Sequence, residues 1–217
     1  MTARGENAET AAALRRGLVM AVLLAGLAGM VDAIGYIRLQ HLFVSYMSGN
    51  STQFAIAIGR GRFAEAGQIL ALIVLFVIGA AGGRLLAHSA GPRHLSAVLV
   101  TVTGLLTLAA LFGTAPVPMV LAMGALNAAM RRAGSVAVSL TFVTGTLVRF
   151  GEGLAGLVLD RGAKWIWAEQ ALPWLGLVAG GALAAAMQAW GGSAASWAPV
   201  LTAAALLVWS LAIPAPD

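Results

Sequence analysis

The chain has 217 residues, of which 60% are hydrophobic and 10% charged, and its mean hydropathy is +0.89. About a quarter of the residues of a soluble domain are charged, so this composition excludes a soluble globular protein and indicates an integral membrane protein. The net charge is +5, and the chain contains no cysteine, which excludes disulfides, thiol catalysis and cysteine metal sites. Because most basic residues flank apolar segments, the positive charge indicates membrane orientation, and we expect no nucleic-acid partner.

The N-terminal residues differ from the rest of the chain. Residues 1–14 are mixed and polar, and we expect them to form a disordered cytoplasmic N-terminus. Arg15 and Arg16 precede an apolar run without a convincing cleavage site, so we predict a retained membrane helix rather than a secretory signal. Residues 15–213 then form a single membrane domain embedded in the lipid bilayer.

Six segments are long and apolar enough to cross about 30 Å of hydrocarbon, or nearly so. Two further stretches, His41–Gly59 and Gly134–Leu159, are apolar but interrupted by polar residues, so each either crosses as a broken helix or enters the membrane and returns. The predicted class is an all-α polytopic membrane protein. The six predicted spans are Gly17–Ile37, Ala64–Ala87, Leu95–Gly113, Pro116–Met130, Glu169–Trp190 and Ala195–Ile213.

The distribution of basic residues decides between these alternatives. If all eight segments cross with the N-terminus inside, seven basic residues flank the inner side and five flank the outer side. If the two interrupted stretches are re-entrant, nine lie inside, and only Arg38, Arg60 and Arg62 lie outside. The positive-inside rule favours the second arrangement. We therefore predict about six transmembrane helices plus two re-entrant or broken polar segments, with both termini in the cytoplasm.

A polar pattern occurs twice in the chain. Asp32 and Asn127 are 95 residues apart, and Ser48-Gly49 and Thr144-Gly145 are 96 residues apart. Each half contributes three crossings, an odd number, so the second half is expected to be an inverted repeat of the first. Inverted repeats whose discontinuous helices meet near the bilayer midplane are typical of transporters and channels. The two predicted repeats are residues 15–113 and 114–213.

The two interrupted stretches also contain the candidate site. Gly49 and Gly145 can take backbone angles closed to other residues, so they are natural helix breaks, and the Ser, Asn and Thr residues beside them are good N-caps. Two helix starts that face each other would create a cavity suited to an anion or an uncharged polar solute. The alternative is that the hydroxyls only bond backbone carbonyls at two kinks. The expected substrate-binding residues are Asp32, Ser48, Gly49, Asn50, Thr52, Asn127, Thr144, Gly145 and Thr146.

Charged residues inside membrane segments are costly, which makes each of them a candidate for function. Asp32 could carry a coupling proton or hold a cation, or it could pair with Arg38 or cap a neighbouring helix start. Arg149 and Glu152 are three residues apart and would share a helix face, where they form a structural ion pair or gate the substrate.

Neither a cofactor nor an enzymatic activity is expected. The three histidines are scattered without the companions of a metal site, and residues 151–156 match a dinucleotide-binding pattern without the strand that the pattern requires. Small residues four apart let helices approach closely in lipid. Gly79/Gly83 and Gly176/Gly180 have this spacing, so their faces are candidates for oligomerisation.

Two motifs are similar to those of a known family. The first spans Phe43–Thr52, and the second combines Arg131–Gly134 with Thr141–Leu147. Together they resemble the YoaK family of bacterial inner-membrane proteins, also called domain of unknown function 1275. The likeness extends from Arg15 to about Ile213. It implies a multi-spanning protein of the bacterial inner membrane with one domain, and it supplies neither a substrate nor functional residues.

These patterns lead to two functional hypotheses. The first is a small-solute transporter or channel of the bacterial inner membrane, with a polar site between its two halves. The second is a non-transporting membrane scaffold or assembly protein, whose polar centres are structural. The transport hypothesis requires that the polar residues of both halves converge on one cavity.

Overall fold

A computed structural model describes residues 3–39, 41–130, 143–159 and 171–212 of the chain. These residues form eight α-helices and contain no β-strand, which confirms the predicted all-α fold class. The helices are α1 (Ala3–Arg38), α2 (Met47–Gly59), α3 (Phe63–Ser89), α4 (His94–Leu111), α5 (Pro116–Met130), α6 (Val143–Leu159), α7 (Ala171–Gly191) and α8 (Ala198–Ala212).

The first helix is longer than the sequence suggests. It begins at Ala3, so residues 3–14 are helical where the composition favoured a disordered tail. Five of these twelve residues are Ala and two are Glu, which are strong helix formers, and the stretch continues directly into the apolar part of α1.

Four of the described helical stretches are long and apolar enough to cross a membrane. They are Leu14–Arg38, Phe63–Ser89, Gly91–Leu111 and Ala171–Ala212, and a shorter apolar helix spans Pro116–Ala128. The last long stretch contains two helices, α7 and α8, separated by a 3-10 segment at Gly192–Trp197. The chain is therefore a polytopic membrane protein.

Helices α1 and α7 pack against each other through glycines. Gly26 lies against Gly176 and Gly180, and a methyl group on Gly180 would overlap the carbonyl oxygen of Gly26. Near the ends of the two helices, the Arg38 guanidinium donates a 2.8 Å hydrogen bond to the side-chain oxygen of Gln188. Since the residue numbers of the contacting positions increase in the same direction along both helices, α1 and α7 are parallel.

Helices α3 and α5 form a second pair of the same kind. Gly79 faces Leu121, and Gly83 faces Ala125, so these two helices are also parallel. A methyl group on Gly83 would lie 2.5 Å from the Ala125 Cα atom. Both glycine pairs that the sequence offered as oligomer surfaces are thus covered by neighbouring helices of the same chain, since close backbone approach inside the bundle needs small residues.

The remaining contacts give the directions of the other helices. Thr202 near the start of α8 lies 3.5 Å from the sulfur of Met30, which is eight residues before the end of α1, so α8 runs back along α1. Ser96 at the start of α4 bonds Ser210 at the end of α8 over 3.0 Å, so α4 is antiparallel to α8. A 3-10 turn at Gly91–Arg93 reverses the chain between α3 and α4. Therefore α1, α4 and α7 run in one direction, and α3, α5 and α8 run in the other.

These directions determine how the two interrupted stretches are placed. Helix α1 ends, and α3 begins, at the same end of the bundle, so the chain between them enters and returns. Helix α5 ends, and α7 begins, at the opposite end, so the stretch that holds α6 also starts and finishes on one side. The described helices agree with the predicted six crossings and with a first interrupted stretch that does not cross. Residues 134–142 of the second stretch lie outside the described residues.

The core lies where α1, α4 and α5 meet. Fully buried side chains on α1 recur every three or four residues, which places them on one helix face. Large apolar side chains of α3 and α8 are instead exposed on the outside of the bundle, as lipid-facing residues are. The buried residues of α1 include Leu24, Leu27, Val31 and Ile34.

Candidate functional site

Residues 41–46 fold back along α1 and are held there by Asp32. The backbone N–H groups of Val44 and Ser45 each donate a 2.7 Å hydrogen bond to Asp32 Oδ1. The Ser45 hydroxyl donates to Asp32 Oδ2 over 2.5 Å. Asp32 lies six residues before the end of α1, which corresponds to about 9 Å at a rise of 1.5 Å per residue. The chain therefore returns about 9 Å into the bundle before α2 begins.

Asn50 closes this loop from the other side. Its amide oxygen accepts the backbone N–H of Phe43 at 3.0 Å, and its amide nitrogen donates to the Phe43 carbonyl at 2.6 Å. The side chain is fully buried. Further along α2, Gln53 donates to the His41 carbonyl at 3.2 Å. Later residues of α2 thus meet earlier residues of the loop, so α2 runs outward to the end where α1 finishes.

The predicted helix break at Gly49 is wrong. Helix α2 begins at Met47, so Gly49 lies inside its first turn, and no side chain caps this helix. The break lies earlier in the chain, because the loop is fixed by Asp32 and Asn50 rather than by glycine flexibility. A side chain at Gly49 would place its Cβ 2.5 Å from the Tyr46 ring, so glycine is required there for packing.

The hydroxyl groups at the start of α2 are used within the helix. Ser51 donates to the Met47 carbonyl at 2.8 Å, and Thr52 donates to the Ser48 carbonyl at 3.1 Å. These are bonds to the preceding turn, which Ser and Thr make inside helices. These two hydroxyls therefore bond backbone carbonyls, as the structural alternative to a solute site expects.

A cavity of about 520 Å³ lies between α1, the returning loop, α6 and α7. Four of its lining residues occupy one face of α1 in the half nearest the C-terminus of that helix. The loop contributes three residues that precede α2, and α6 contributes two residues near its start. Helix α7 forms the remaining wall. The described lining residues are Gly29, Asp32, Ala33, Tyr36, Phe43, Ser45, Tyr46, Thr144, Leu147, Leu177, Val178 and Gly181.

Of the predicted site residues, the structure brings Asp32 and Thr144 together at this cavity. Asn50 is buried inside the loop, Thr146 is buried in α6, and Asn127 donates to the Met123 carbonyl of its own helix at 2.9 Å. Four further predicted residues are not among the described lining residues of the cavity: Ser48, Gly49, Thr52 and Gly145. Arg149 and Glu152, the predicted ion pair or gate, are exposed on α6.

Sequence reasoning missed the aromatic part of the cavity, which consists of Tyr36, Phe43 and Tyr46. The Tyr36 and Phe43 ring centroids are 4.9 Å apart, and those of Phe43 and Tyr46 are 5.2 Å apart with nearly perpendicular planes. Phe43 and Tyr46 belong to the first family-like motif, so the signal was present. It was overlooked because polarity, rather than ring content, guided the choice of site residues.

Asp32 is the only acidic residue among the described lining residues of the cavity, and none of these is lysine, arginine or histidine. Asp32 does not pair with Arg38, because the Arg38 guanidinium bonds Gln188 instead. The described residues also contain no group of three or more His, Asp or Glu side chains that could hold a metal ion.

Comparison with known proteins gives the family of the chain. The model of the family described as "Protein of unknown function (DUF1275)" matches residues 20–209. The UPF0700 transmembrane protein RA0705 of Rhizobium meliloti (strain 1021) is 37% identical over 203 residues, covering 91% of this chain and 88% of that protein. The UPF0700 transmembrane protein YoaK of Bacillus subtilis (strain 168) is 30% identical, covering 71% of this chain and 74% of that protein. No solved structure is significantly similar to the chain. The family match over most of the sequence and these two relatives confirm the resemblance seen in the motifs: the chain belongs to the DUF1275 family of transmembrane proteins.

Proposed function

We propose that this protein is a small-solute transporter or channel, and that the solute binds in the cavity between α1, the returning loop, α6 and α7. The proposal rests on one observation: residues from both halves of the chain line the same cavity. Asp32 and Ser45 come from the first half, and Thr144 comes from the second half. A volume of about 520 Å³ is in the range of small-molecule sites, which is roughly 300–1,000 Å³.

We further propose that the two halves are inverted repeats. Helix α1 of the first half matches α5 of the second half, α3 matches α7, and α4 matches α8. The two helices of each matched pair run in opposite directions. The packing partners match as well. The α1–α7 contact in one half of the comparison corresponds to the α5–α3 contact in the other, and the α4–α5 contact corresponds to the α8–α1 contact. Transporters built from inverted repeats place their sites where discontinuous helices of the two repeats meet.

The proposed location is the bacterial inner membrane, with both termini in the cytoplasm. Among described residues, Arg15, Arg16, Arg84 and Arg93 lie near the end of the bundle where α1 begins. The opposite end carries Arg38, Arg60 and Arg62. The N-terminal end of α1 is therefore the more positive one, as expected of a cytoplasmic side.

Transport can be tested with purified protein in liposomes. The test solutes are choline, mannitol and gluconate, which represent cationic, neutral and anionic solutes that cross lipid slowly. We expect at least one of them to enter proteoliposomes faster than protein-free liposomes. Val178→Trp places a large ring at the cavity wall and should block this uptake. Val208→Trp is the matched control, because Val208 is 67% exposed on α8 away from the cavity.

The second candidate function is a non-transporting scaffold. It is favoured by the finding that Asp32 and Asn50 both hold the returning loop, which is a structural role. If Val178→Trp and the wild-type protein give the same solute flux as protein-free liposomes, the scaffold hypothesis is supported and the transport proposal is contradicted.

A further inference from the structure

Three aromatic rings line the same cavity as Asp32. Tyr36, Phe43 and Tyr46 form a continuous chain of ring contacts, and the Phe43 and Tyr46 planes meet at 88°. Tyr36 and Tyr46 are 38% and 42% exposed, so both rings retain accessible surface. Such rings carry negative electrostatic potential on their faces, which attracts cations and repels anions.

Two backbone N–H groups of the loop just before α2 are not available to an anion. Backbone N–H groups beside a helix N-terminus attract anions, and this was the basis for expecting an anionic or neutral solute. In the structure, however, Val44 and Ser45 already donate their N–H groups to Asp32. The protein supplies its own acidic side chain at this position, so an anionic solute would meet Asp32 in the loop that precedes α2.

The other groups of the cavity indicate the shape of the solute. The polar side chains of the described wall, Asp32, Ser45 and Thr144, are few, and the rest of the wall is aromatic or aliphatic. Leu147, Leu177 and Val178 belong to this apolar part. A fitting ligand therefore has one charged head and an apolar body.

We propose that the cavity binds a small organic cation, an ammonium group with an apolar body, between the carboxylate of Asp32 and the rings of Tyr36, Phe43 and Tyr46. This inference rests on the proposed function for the choice of site, and it identifies the substrate class. The ammonium group lies against the rings and the carboxylate, and the apolar body contacts the aliphatic side chains of α6 and α7.

The first test uses compounds that differ in charge and have similar shapes. Choline is the cation, and neohexanol is its uncharged carbon isostere. The carboxylate 3,3-dimethylbutanoate (tert-butylacetate) is an anion with the same branched head. Isothermal titration calorimetry on the purified full-length protein should show choline binding about tenfold more tightly than neohexanol, because a desolvated cation–ring contact contributes about that factor. Tert-butylacetate should bind most weakly. Equal binding of choline and neohexanol, tighter binding of the anion, or no choline binding overturns the inference.

Variants then separate the contributions of charge and ring. Asp32→Asn keeps an oxygen that can accept the N–H groups of Val44 and Ser45, so the loop can stay in place while the charge is lost. Its choline affinity should fall about fivefold, because the attraction between opposite charges is lost while the ring contacts remain. Tyr46→Leu should weaken choline binding, whereas Tyr46→Phe, which retains the ring face, should not. Equal affinities of Tyr46→Leu and Tyr46→Phe would contradict the inference, and this pair remains decisive if Asp32→Asn fails to fold.

The outcomes also separate this inference from the proposed transport function. If choline binds with the expected charge preference but does not enter proteoliposomes, the cation site is supported and the transport function fails. If gluconate or mannitol is carried and choline is neither bound nor carried, transport is supported and the cation site is overturned.

Discussion

Asp32 is the residue on which the candidate site depends most. It accepts three hydrogen bonds from Val44 and Ser45, and it also lines the cavity. A carboxylate is expensive inside a membrane helix unless donors satisfy it, and the returning loop supplies these donors. The same side chain therefore holds the loop in place and is the only acidic group in the described part of the cavity wall.

We expect Asp32→Ala to destabilise the protein much more than Asp32→Asn. Alanine leaves two N–H groups and one hydroxyl without their acceptor, and each buried unsatisfied group costs about 1–3 kcal/mol. Thermal unfolding in detergent micelles, followed by circular dichroism, should show a clear loss of stability for Asp32→Ala and a small change for Asp32→Asn. If Asp32→Ala unfolds at the wild-type temperature, Asp32 does not hold the loop.

Asn50 offers a second test of the loop. Asn50→Ala removes both hydrogen bonds to Phe43, so we expect the free energy of unfolding to fall by about 1–3 kcal/mol. Ser51→Ala is the neighbouring control, because Ser51 is exposed and bonds only the Met47 carbonyl of its own helix. The same unfolding measurement on both variants should separate them, and equal effects would show that Asn50 contributes no more than a surface hydroxyl.

At the level of elements, the bundle is organised by two pairs of parallel helices that meet at glycines. The α1–α7 pair forms two walls of the cavity, and the α3–α5 pair packs in the same way elsewhere in the bundle. Lipid chains are as apolar as leucine, so burial alone does not hold membrane helices together, and close backbone contact becomes the main source of packing energy.

Two adjacent glycines of α3 test this packing. In Gly83→Val the new side chain would collide with Ala125 of α5, where even a Cβ atom lies 2.5 Å from the facing Cα atom. In Gly82→Val, a Cβ atom meets nothing within 4 Å. We expect Gly83→Val to reduce folded protein in membranes strongly and Gly82→Val to have little effect. Yield and elution profile in gel filtration measure the difference, and similar profiles for both variants would refute this helix pairing.

At the scale of the whole molecule, the helix directions place Arg60 and Arg93 on opposite sides of the membrane. Arg60 follows α2 at the end where α1 finishes, and Arg93 lies between α3 and α4 at the other end. The chain contains no cysteine, so a single cysteine can be introduced at either position without further changes.

We expect Arg60→Cys to react with a membrane-impermeant thiol reagent in intact cells, and Arg93→Cys to react only after the cells are opened. The reason is that the end of the bundle near Arg60 carries fewer basic residues and should face outward. Labelling at Arg93 but not at Arg60 would reverse the orientation, and labelling of both positions in intact cells would contradict the helix directions.

Much of the fold could be predicted from the sequence because lipid imposes strict rules on hydropathy and charge. The membrane spans follow from apolar runs, and the returning stretch at 39–62 follows from the basic residues at Arg38, Arg60 and Arg62. The candidate site was predicted less well. Asp32 and Thr144 line the cavity, whereas both polar atoms of the Asn50 side chain form hydrogen bonds to Phe43 within the returning loop.

The sequence by itself determined that the chain is a polytopic membrane protein and where polar residues recur in the two halves. These properties depend on composition and order along the chain, because each apolar stretch meets lipid individually. Only the tertiary structure decided that Tyr36, Phe43 and Tyr46 line the same cavity as Asp32 and that α7 provides another wall. Contacts of this kind can join residues 150 positions apart, as Arg38 and Gln188 illustrate, and they depend on which backbones approach closely enough to pack.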